Sequence, residues 1–253
     1  MSRVIIILLF LNVITCFIFR FFVHRGKVNI CDFTIPELGQ PKKINVLIAG
    51  FLNQPFSAYR ELCVSHLDQE IYVTYSCFGW NAKNSAIQLD EALSRFSGIV
   101  DIYAISIGDK IARNMTRCNH IYSINPCPNP CVLQKEWQKK LPPLAILLEV
   151  VTFALGWLSA IPLIPTDDSP YSIALIADQL WEASVNRSTK AYNRGITSFV
   201  LSSKDEYINN DFVFHFYRTS WLHFETIETQ HARTADLAWG TEYNRALENL
   251  QRR

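Results

Sequence analysis

One short segment has the residue pattern of a nucleophilic serine. Ser106 ends an apolar, β-branched run and has a small residue two positions away on each side, Ala104 before it and Gly108 after it. A strand that turns sharply into a helix crowds its own backbone, so these flanking positions must be small. Such a turn presents the hydroxyl at the carboxyl edge of a sheet. It also places the N–H of Ile107 at a helix N-terminus, where it can stabilise a developing oxyanion.

Six apolar, β-branched runs predict the strands that would hold this turn, and helical patterns lie between them. The strands are predicted at 44–50, 70–77, 99–105, 120–125, 195–201 and 220–226, and the helices at 57–67, 85–96 and 107–115. Nearly continuous apolar runs indicate strands that are buried on both faces, as in a parallel sheet. Alternation of strands and helices favours an α/β fold with right-handed crossovers.

One interval interrupts this alternation. Residues 137–194 show helical patterns and no clear strand, and they include the run 144–164, in which Glu149 is the only charged residue. We interpret the interval as a helical insertion at the edge of the sheet, with two short helices separated near Gly156. A second membrane span at 144–164 is the alternative, because such a run is tolerated in a bilayer.

The turn and its context resemble the α/β-hydrolase family. Its usual turn is Gly-x-Ser-x-Gly, and this chain has the Ala-x-Ser-x-Gly variant at 104–108. The resemblance covers roughly residues 44–240. It implies a mostly parallel twisted sheet with helices on both faces, in a domain of residues 28–253 with a cap insertion at about 137–194. It also implies a serine hydrolase that cleaves a carboxylic ester through an acyl-enzyme, with no cofactor and no metal.

The same resemblance implies roles for four further residues. Phe51 follows the first clear strand, where the family has its first oxyanion loop, so its N–H is implied as the second donor beside that of Ile107. Asp205 and His231 each follow a predicted strand, where the family has its acid and its base. In this triad His231 would accept the proton of Ser106, and Asp205 would hold and stabilise the imidazole.

Other side chains compete for two of these roles. Glu206 or Asp211 could be the acid in place of Asp205. His215 and His223 are rivals for the base, although they lie before or within the last predicted strand rather than after it.

Two positions depart from the family pattern. Ala49 replaces the His that usually braces the oxyanion loop, and Asp109 stands where a second Gly is common. The chain also has only 9 Gly. These departures leave open a catalytically silent binding protein, and a thioesterase, amidase or acyltransferase would share the same triad.

Apolar residues in the insertion are the main indication of the substrate. Seven of them crowd the stretch 150–161. Caps of the family line the acyl pocket, so the resemblance implies a hydrophobic or lipid ester as substrate. These side chains could equally belong to the core.

The N-terminus carries an uncharged apolar run at residues 4–19. We expect residues 1–27 to be a membrane anchor, with a cleaved signal peptide or a buried helix as alternatives, because the run is slightly short for a span. The protein is then expected to be membrane-associated, or else secreted or periplasmic. Basic residues on both flanks leave the side of the membrane ambiguous.

Composition excludes two classes of protein. The 253 residues include 24 Lys and Arg against 23 Asp and Glu, so no basic excess exists to neutralise the phosphates of a nucleic acid. Hydrophobic residues make up 49%, which is too high for a disordered chain. Of the seven Cys, Cys16 lies in the apolar run, and the other six could form three disulfides or none. Their spacing resembles no zinc site.

Overall fold

The computed structural model describes residues 3–18, 28–31, 43–51, 70–75, 82–161, 163, 172–186, 196–217, 222–230 and 239–252. Within these ranges the chain forms seven strands, which are β1 (Val28–Cys31), β2 (Lys43–Ile48), β3 (Glu70–Tyr75), β4 (Ile99–Ile105), β5 (His120–Ile124), β6 (Ile196–Lys204) and β7 (Leu222–Gln230). The α-helices in the same ranges are α1 (Arg3–Ile18), α2 (Ala82–Ala92), α3 (Asp109–Asn114), α4 (Lys135–Leu155), α5 (Ile173–Ser184), α6 (Asn210–Phe216) and α7 (Trp239–Gln251).

The strands form one sheet in the order β1-β3-β2-β4-β5-β6-β7. Strand β1 is antiparallel to β3, and every other neighbouring pair is parallel. All residues of β4 from Val100 to Ile105 are buried, which requires cover on both faces of the sheet. The predicted α/β fold with a mostly parallel sheet is therefore confirmed.

All six predicted strands are present, with ends shifted by a few residues. Strand β1 was not predicted. The predicted helix 85–96 corresponds to α2 with a 3₁₀ turn at Leu93–Arg95, and the predicted helix 107–115 corresponds to α3 with the turn before it. The predicted helix 57–67 lies outside the described residues.

Two helices occupy the interval between β5 and β6. Helix α4 has 21 residues, includes Pro142 and Pro143, and ends at Gly156, whose φ of 58° is unfavourable for residues with a side chain. A 3₁₀ turn at Gly156–Ala160 follows, and α5 comes after it. The break near Gly156 is where the sequence places it, but the first helix is longer than expected. The predicted bounds of the insertion, 137–194, stay a prediction.

The predicted N-terminal transmembrane helix is not supported by the structure, and neither is the alternative span at 144–164. No helix in the described part of the chain is both long enough and apolar enough to cross a membrane. Helix α1 has 16 residues, which at 1.5 Å per residue is about 24 Å, against a hydrocarbon core of about 30 Å.

Candidate active site

The backbone turns sharply at Ser106, directly after the last residue of β4. Ser106 has a φ of 52°, and it begins a 3₁₀ turn, Ser106–Gly108, that continues into α3. A positive φ is uncommon for a residue with a side chain and costs about 1–3 kcal/mol, so it persists only where the surroundings enforce it. The strained turn predicted from the small flanking residues is thus found at the predicted serine.

Two glycines let the end of β2 lie against this turn. A Cβ on Gly108 would come within 2.5 Å of the carbonyl oxygen of Ala49 and 2.8 Å of that of Ile48. A Cβ on Gly50 would lie 3.2 Å from the Cβ of Ser106. The segment that follows β2 therefore lies in close contact with the turn at Ser106.

The two predicted oxyanion donors belong to these two contacting segments. Phe51 follows Gly50 at the end of the described segment, and its side chain is half-buried against the core. Ile107 is the second residue of the turn, and its side chain is buried. Their roles as donors of N–H groups to an oxyanion stay a prediction.

Asp205 directly follows the last residue of β6 and is buried. Its Oδ1 accepts hydrogen bonds from the backbone N–H of Tyr207, at 2.8 Å, and of Ile208, at 2.7 Å. These bonds fix the orientation of the carboxylate at the edge where β4 also ends. Of its rivals, Glu206 is half-buried and Asp211 is exposed on the first turn of α6.

The predicted base, His231, lies outside the described residues. The residue before it, Gln230, is the last of β7 and pairs in register with Lys204, which directly precedes Asp205. His223 lies near the start of β7, at the opposite edge of the sheet from Ser106. His215 is exposed on α6. Neither rival occupies the strand-end position that the sequence assigns to the base.

A buried polar cluster lies directly behind the turn, and sequence reasoning did not find it. The carboxylate of Asp109 is fully buried and accepts hydrogen bonds from Arg113 Nε at 2.5 Å, from Tyr217 Oη at 2.6 Å and from Ser123 Oγ. The guanidinium of Arg113 also lies 3.7 Å from the centre of the Tyr217 ring. Burial raises the pKa of Tyr217 well above its usual value, so its hydroxyl remains a donor.

A second buried pair joins the turn's helix to the insertion. Lys110, on α3, lies with its Nζ 3.7 Å from Glu182 Oε2 on α5, and it donates to the backbone oxygens of Glu182 and Asn186. Burial lowers the pKa of Lys110 and raises that of Glu182, since it disfavours both charged forms. The hydrogen bonds to backbone oxygens supply part of the solvation that burial removes.

Cys127 supports the turn from the neighbouring strand end. Its backbone N–H donates to the carbonyl oxygen of Ser106 at 2.9 Å, and burial raises the pKa of its thiol to about 12. The sulfur atoms of Cys118, Cys127 and Cys131 are thiols. Within the described ranges, no group of three or more His, Cys, Asp or Glu side chains is placed to hold a metal ion.

No family model matches the chain, and no curated protein matches it by sequence. Solved structures do match. A hydrolase from Oleispira antarctica is 12% identical with a TM-score of 0.56, covering 90% of this chain and 94% of that one. A thermophilic esterase from Thermogutta terrifontis is 12% identical with a TM-score of 0.57, covering 90% and 93%. An esterase from Exiguobacterium antarcticum is 11% identical with a TM-score of 0.56, covering 90% and 94%.

The chain has the α/β-hydrolase fold. At these identities the likeness shows the fold alone, since one fold hosts many functions. In an α/β-hydrolase fold the chain order Ser, acid, His places the three side chains at the carboxyl edge of the sheet. Here Ser106 and Asp205 both lie directly after strands that end at that edge.

Proposed function

We propose that the chain is a serine hydrolase that cleaves a carboxylic ester through an acyl-enzyme on Ser106. The observation that carries this proposal is the positive φ of Ser106 in a strand–turn–helix junction. A backbone strain of this kind is retained where surrounding structure enforces it, and such sites cluster at functional positions. The esterases and hydrolases among the similar structures support the same reaction class.

The reaction would begin with attack of Ser106 Oγ on the ester carbonyl carbon. His231 accepts the hydroxyl proton, because a serine is a poor nucleophile at neutral pH without an adjacent base. Asp205 holds the imidazole and stabilises its charged form. The N–H groups of Phe51 and Ile107 stabilise the tetrahedral oxyanion, with about 3 kcal/mol from each donor.

Collapse of the tetrahedral intermediate breaks the bond to the alcohol, and His231 returns the proton to the leaving oxygen. The acyl group is then bound to Ser106 as an ester. Water attacks that ester with the same proton transfers, releases the carboxylic acid and restores the serine. An acceptor other than water would make the protein an acyltransferase, with no change in the first half of the reaction.

A hydrophobic ester is the substrate class that the insertion favours. Seven large apolar side chains between residues 144 and 163 are exposed, and an exposed apolar surface of this extent marks a place where the protein meets an apolar ligand or partner. The buried pair between Lys110 and Glu182 connects the insertion with the helix that begins at the nucleophile. A long acyl chain would therefore lie near Ser106 and the insertion together.

Labelling with a fluorophosphonate probe tests the nucleophile. We expect the wild-type protein to be labelled and Ser106→Ala to be unlabelled, whereas Ser94→Ala, a substitution at an exposed serine, should be labelled like the wild type. Equal labelling of Ser106→Ala would refute the assignment. His231→Ala and Asp205→Asn should each slow labelling strongly, since both act on the same proton.

A series of p-nitrophenyl esters with increasing acyl length tests the reaction and the substrate class. We expect kcat/KM to rise with chain length. Labelling of Ser106 without hydrolysis of any ester would point to transfer to another acceptor, and absence of both would leave a binding protein with the same fold.

A further inference from the structure

Exposed apolar side chains are concentrated in one part of the molecule. In the described parts of the chain, 22 large apolar side chains are exposed, and 17 of them lie either on α1 or between residues 144 and 163. Single exposed apolar residues are ordinary, but a contiguous patch of this size marks an interaction surface.

Helix α1 and the insertion are joined by a specific contact. The side-chain amide of Asn12, in the middle of α1, donates a hydrogen bond to the carbonyl oxygen of Ala154 at 3.0 Å. Gly156 lies beside the same amide with a φ of 58°, and a Cβ there would overlap the Asn12 side chain. Helix α1 also packs against α4 and the 3₁₀ turn that follows it. The two apolar elements therefore form one surface, which we call the apolar platform, made of α1 and residues 144–163.

The distribution of exposure on α1 identifies what covers it. Eight consecutive side chains, from Val4 to Leu11, are each at least 47% exposed. Eight residues exceed two helical turns, so they cover the whole circumference rather than one stripe. A protein partner or a second copy of the chain would cover one side of such a helix and leave the rest in water. A helix that is apolar on all sides is stable where hydrocarbon chains of lipid surround it, because hydrocarbon requires no polar face.

Charge along α4 agrees with a lipid surface and indicates the depth of contact. Lys135, Glu136, Lys139 and Lys140 are exposed on its first two turns, and Glu149 is the only charged residue between 144 and 163. Arg3 begins α1, and no other charge follows it in that helix. The apolar platform can thus enter the acyl region while these charged residues, with an excess of positive charge, stay at the level of the headgroups.

We propose that the apolar platform seats the protein on a lipid surface, with α1 immersed in the acyl region of the nearer leaflet and without crossing the bilayer. The contact is made by the outer side of the insertion and by α1, so it does not depend on Ser106 or on the proposed reaction. If both proposals hold, the insertion joins the lipid phase to the helix that follows the nucleophile, and a hydrophobic ester reaches the site from the membrane.

Flotation of the full chain with vesicles of phosphatidylcholine containing a minority of phosphatidylglycerol tests the proposal. The wild type should float with the vesicles. Phe10→Asp and Val150→Asp, one on each half of the platform, should each reduce the bound fraction roughly tenfold or more, since a charge is placed in the acyl region. Phe212→Asp is the matched control, because Phe212 is an exposed large apolar residue away from the platform, and it should float like the wild type.

Three results would overturn the proposal. They are failure of the wild type to float, flotation of both platform variants at the wild-type level, and an equal loss for Phe212→Asp. Light scattering tests the alternative occupant, a second copy of the chain. A wild type that forms dimers and does not bind vesicles, together with a monomeric Val150→Asp variant, would assign the surface to that second copy. Far-UV circular dichroism of each variant reports its folding, and fluorophosphonate labelling reports the reactivity of Ser106. A variant that labels normally but no longer floats has therefore lost the function of the platform alone.

Discussion

Replacement of Asp109 by Ala should destabilise the protein far more than an average substitution. Asp109 is fully buried, and its partner Arg113 is also buried, with 2.5 Å between Oδ2 and Nε. In the described part of the chain, the two remaining guanidinium nitrogens of Arg113, Nη1 and Nη2, have no hydrogen-bond partner. Removal of Asp109 leaves that guanidinium charged and buried without a counter-charge, which costs about 3–5 kcal/mol. A typical point substitution costs about 1 kcal/mol.

Urea unfolding followed by tryptophan fluorescence measures this loss. The double variant Asp109→Ala with Arg113→Met should recover much of the lost stability, because removal of both charges from a buried site is often nearly neutral. Glu228→Ala is the matched control: it breaks a solvent-exposed pair with Lys204, at 2.8 Å, and should leave the free energy of unfolding almost unchanged. If the single and the double variant were equally unstable, the buried charge would not be the cause.

Three further substitutions or reactions test other parts of the structure. Gly108→Ala should slow fluorophosphonate labelling and lower stability by about 1–3 kcal/mol, since its Cβ would press on backbone carbonyls; an unchanged labelling rate would contradict the packing described. At pH 8 iodoacetamide should alkylate exposed Cys131 but not buried Cys127, whose pKa of about 12 leaves almost no thiolate; mass spectrometry of equal labelling at both would refute this. Tyr243→Phe removes a buried hydroxyl that accepts a hydrogen bond from Asn125 at 2.7 Å, and it should cost about 1–3 kcal/mol in urea unfolding; no change would mean that water replaces it.

The central strands could be predicted from sequence because each is buried on both faces. Strand β4 is the clearest case, since its residues from Val100 to Ile105 are all buried and nearly all apolar. Strand β1 could not be predicted in the same way. It has four residues, Val28–Cys31, and pairs with one neighbour at the edge of the sheet. A strand so short lacks the length that hydrophobic periodicity requires.

The turn at Ser106 could be predicted because its constraint is local. Backbone crowding within five residues requires small side chains at fixed offsets, and the sequence displays them. The cluster behind the turn could not be predicted, because Ser123 and Tyr217 lie 14 and 108 residues from Asp109. Asp109 was visible only as a departure from the family's usual Gly. The one local signal was Arg113, four residues later on the same helix, where opposite charges meet.

The N-terminal run shows what hydrophobicity alone cannot decide. A run of apolar residues predicts that its side chains are shielded from water. Lipid, a protein core or packing against another helix can each provide that shielding. Asn12 was the informative residue, because a polar amide inside an apolar helix needs a hydrogen-bond partner. Its partner is the carbonyl oxygen of Ala154, on the insertion.

The position of Asp109 also makes Arg113 important for the proposed reaction. A carboxylate on the first turn of α3 opposes the partial positive charge at the helix N-terminus, which the oxyanion would use. Arg113 neutralises that carboxylate. Removal of Arg113 would leave a unit negative charge on Asp109. The repulsion between that charge and an oxyanion roughly 10 Å away, in an effective dielectric constant of about 20, is worth about 1.7 kcal/mol. Arg113→Met should therefore slow labelling of Ser106 by roughly tenfold in the folded protein.

Labelling rates measured on the folded fraction separate this electrostatic effect from lost stability. The double variant Asp109→Ala with Arg113→Met restores neutrality, so it should label faster than Arg113→Met alone. If Arg113 acts only through its packing on the Tyr217 ring, the double variant should label no faster than Arg113→Met, because that contact is absent from both. The order of the two rates thus decides whether the buried pair only supports the turn or also sets the electric field at Ser106.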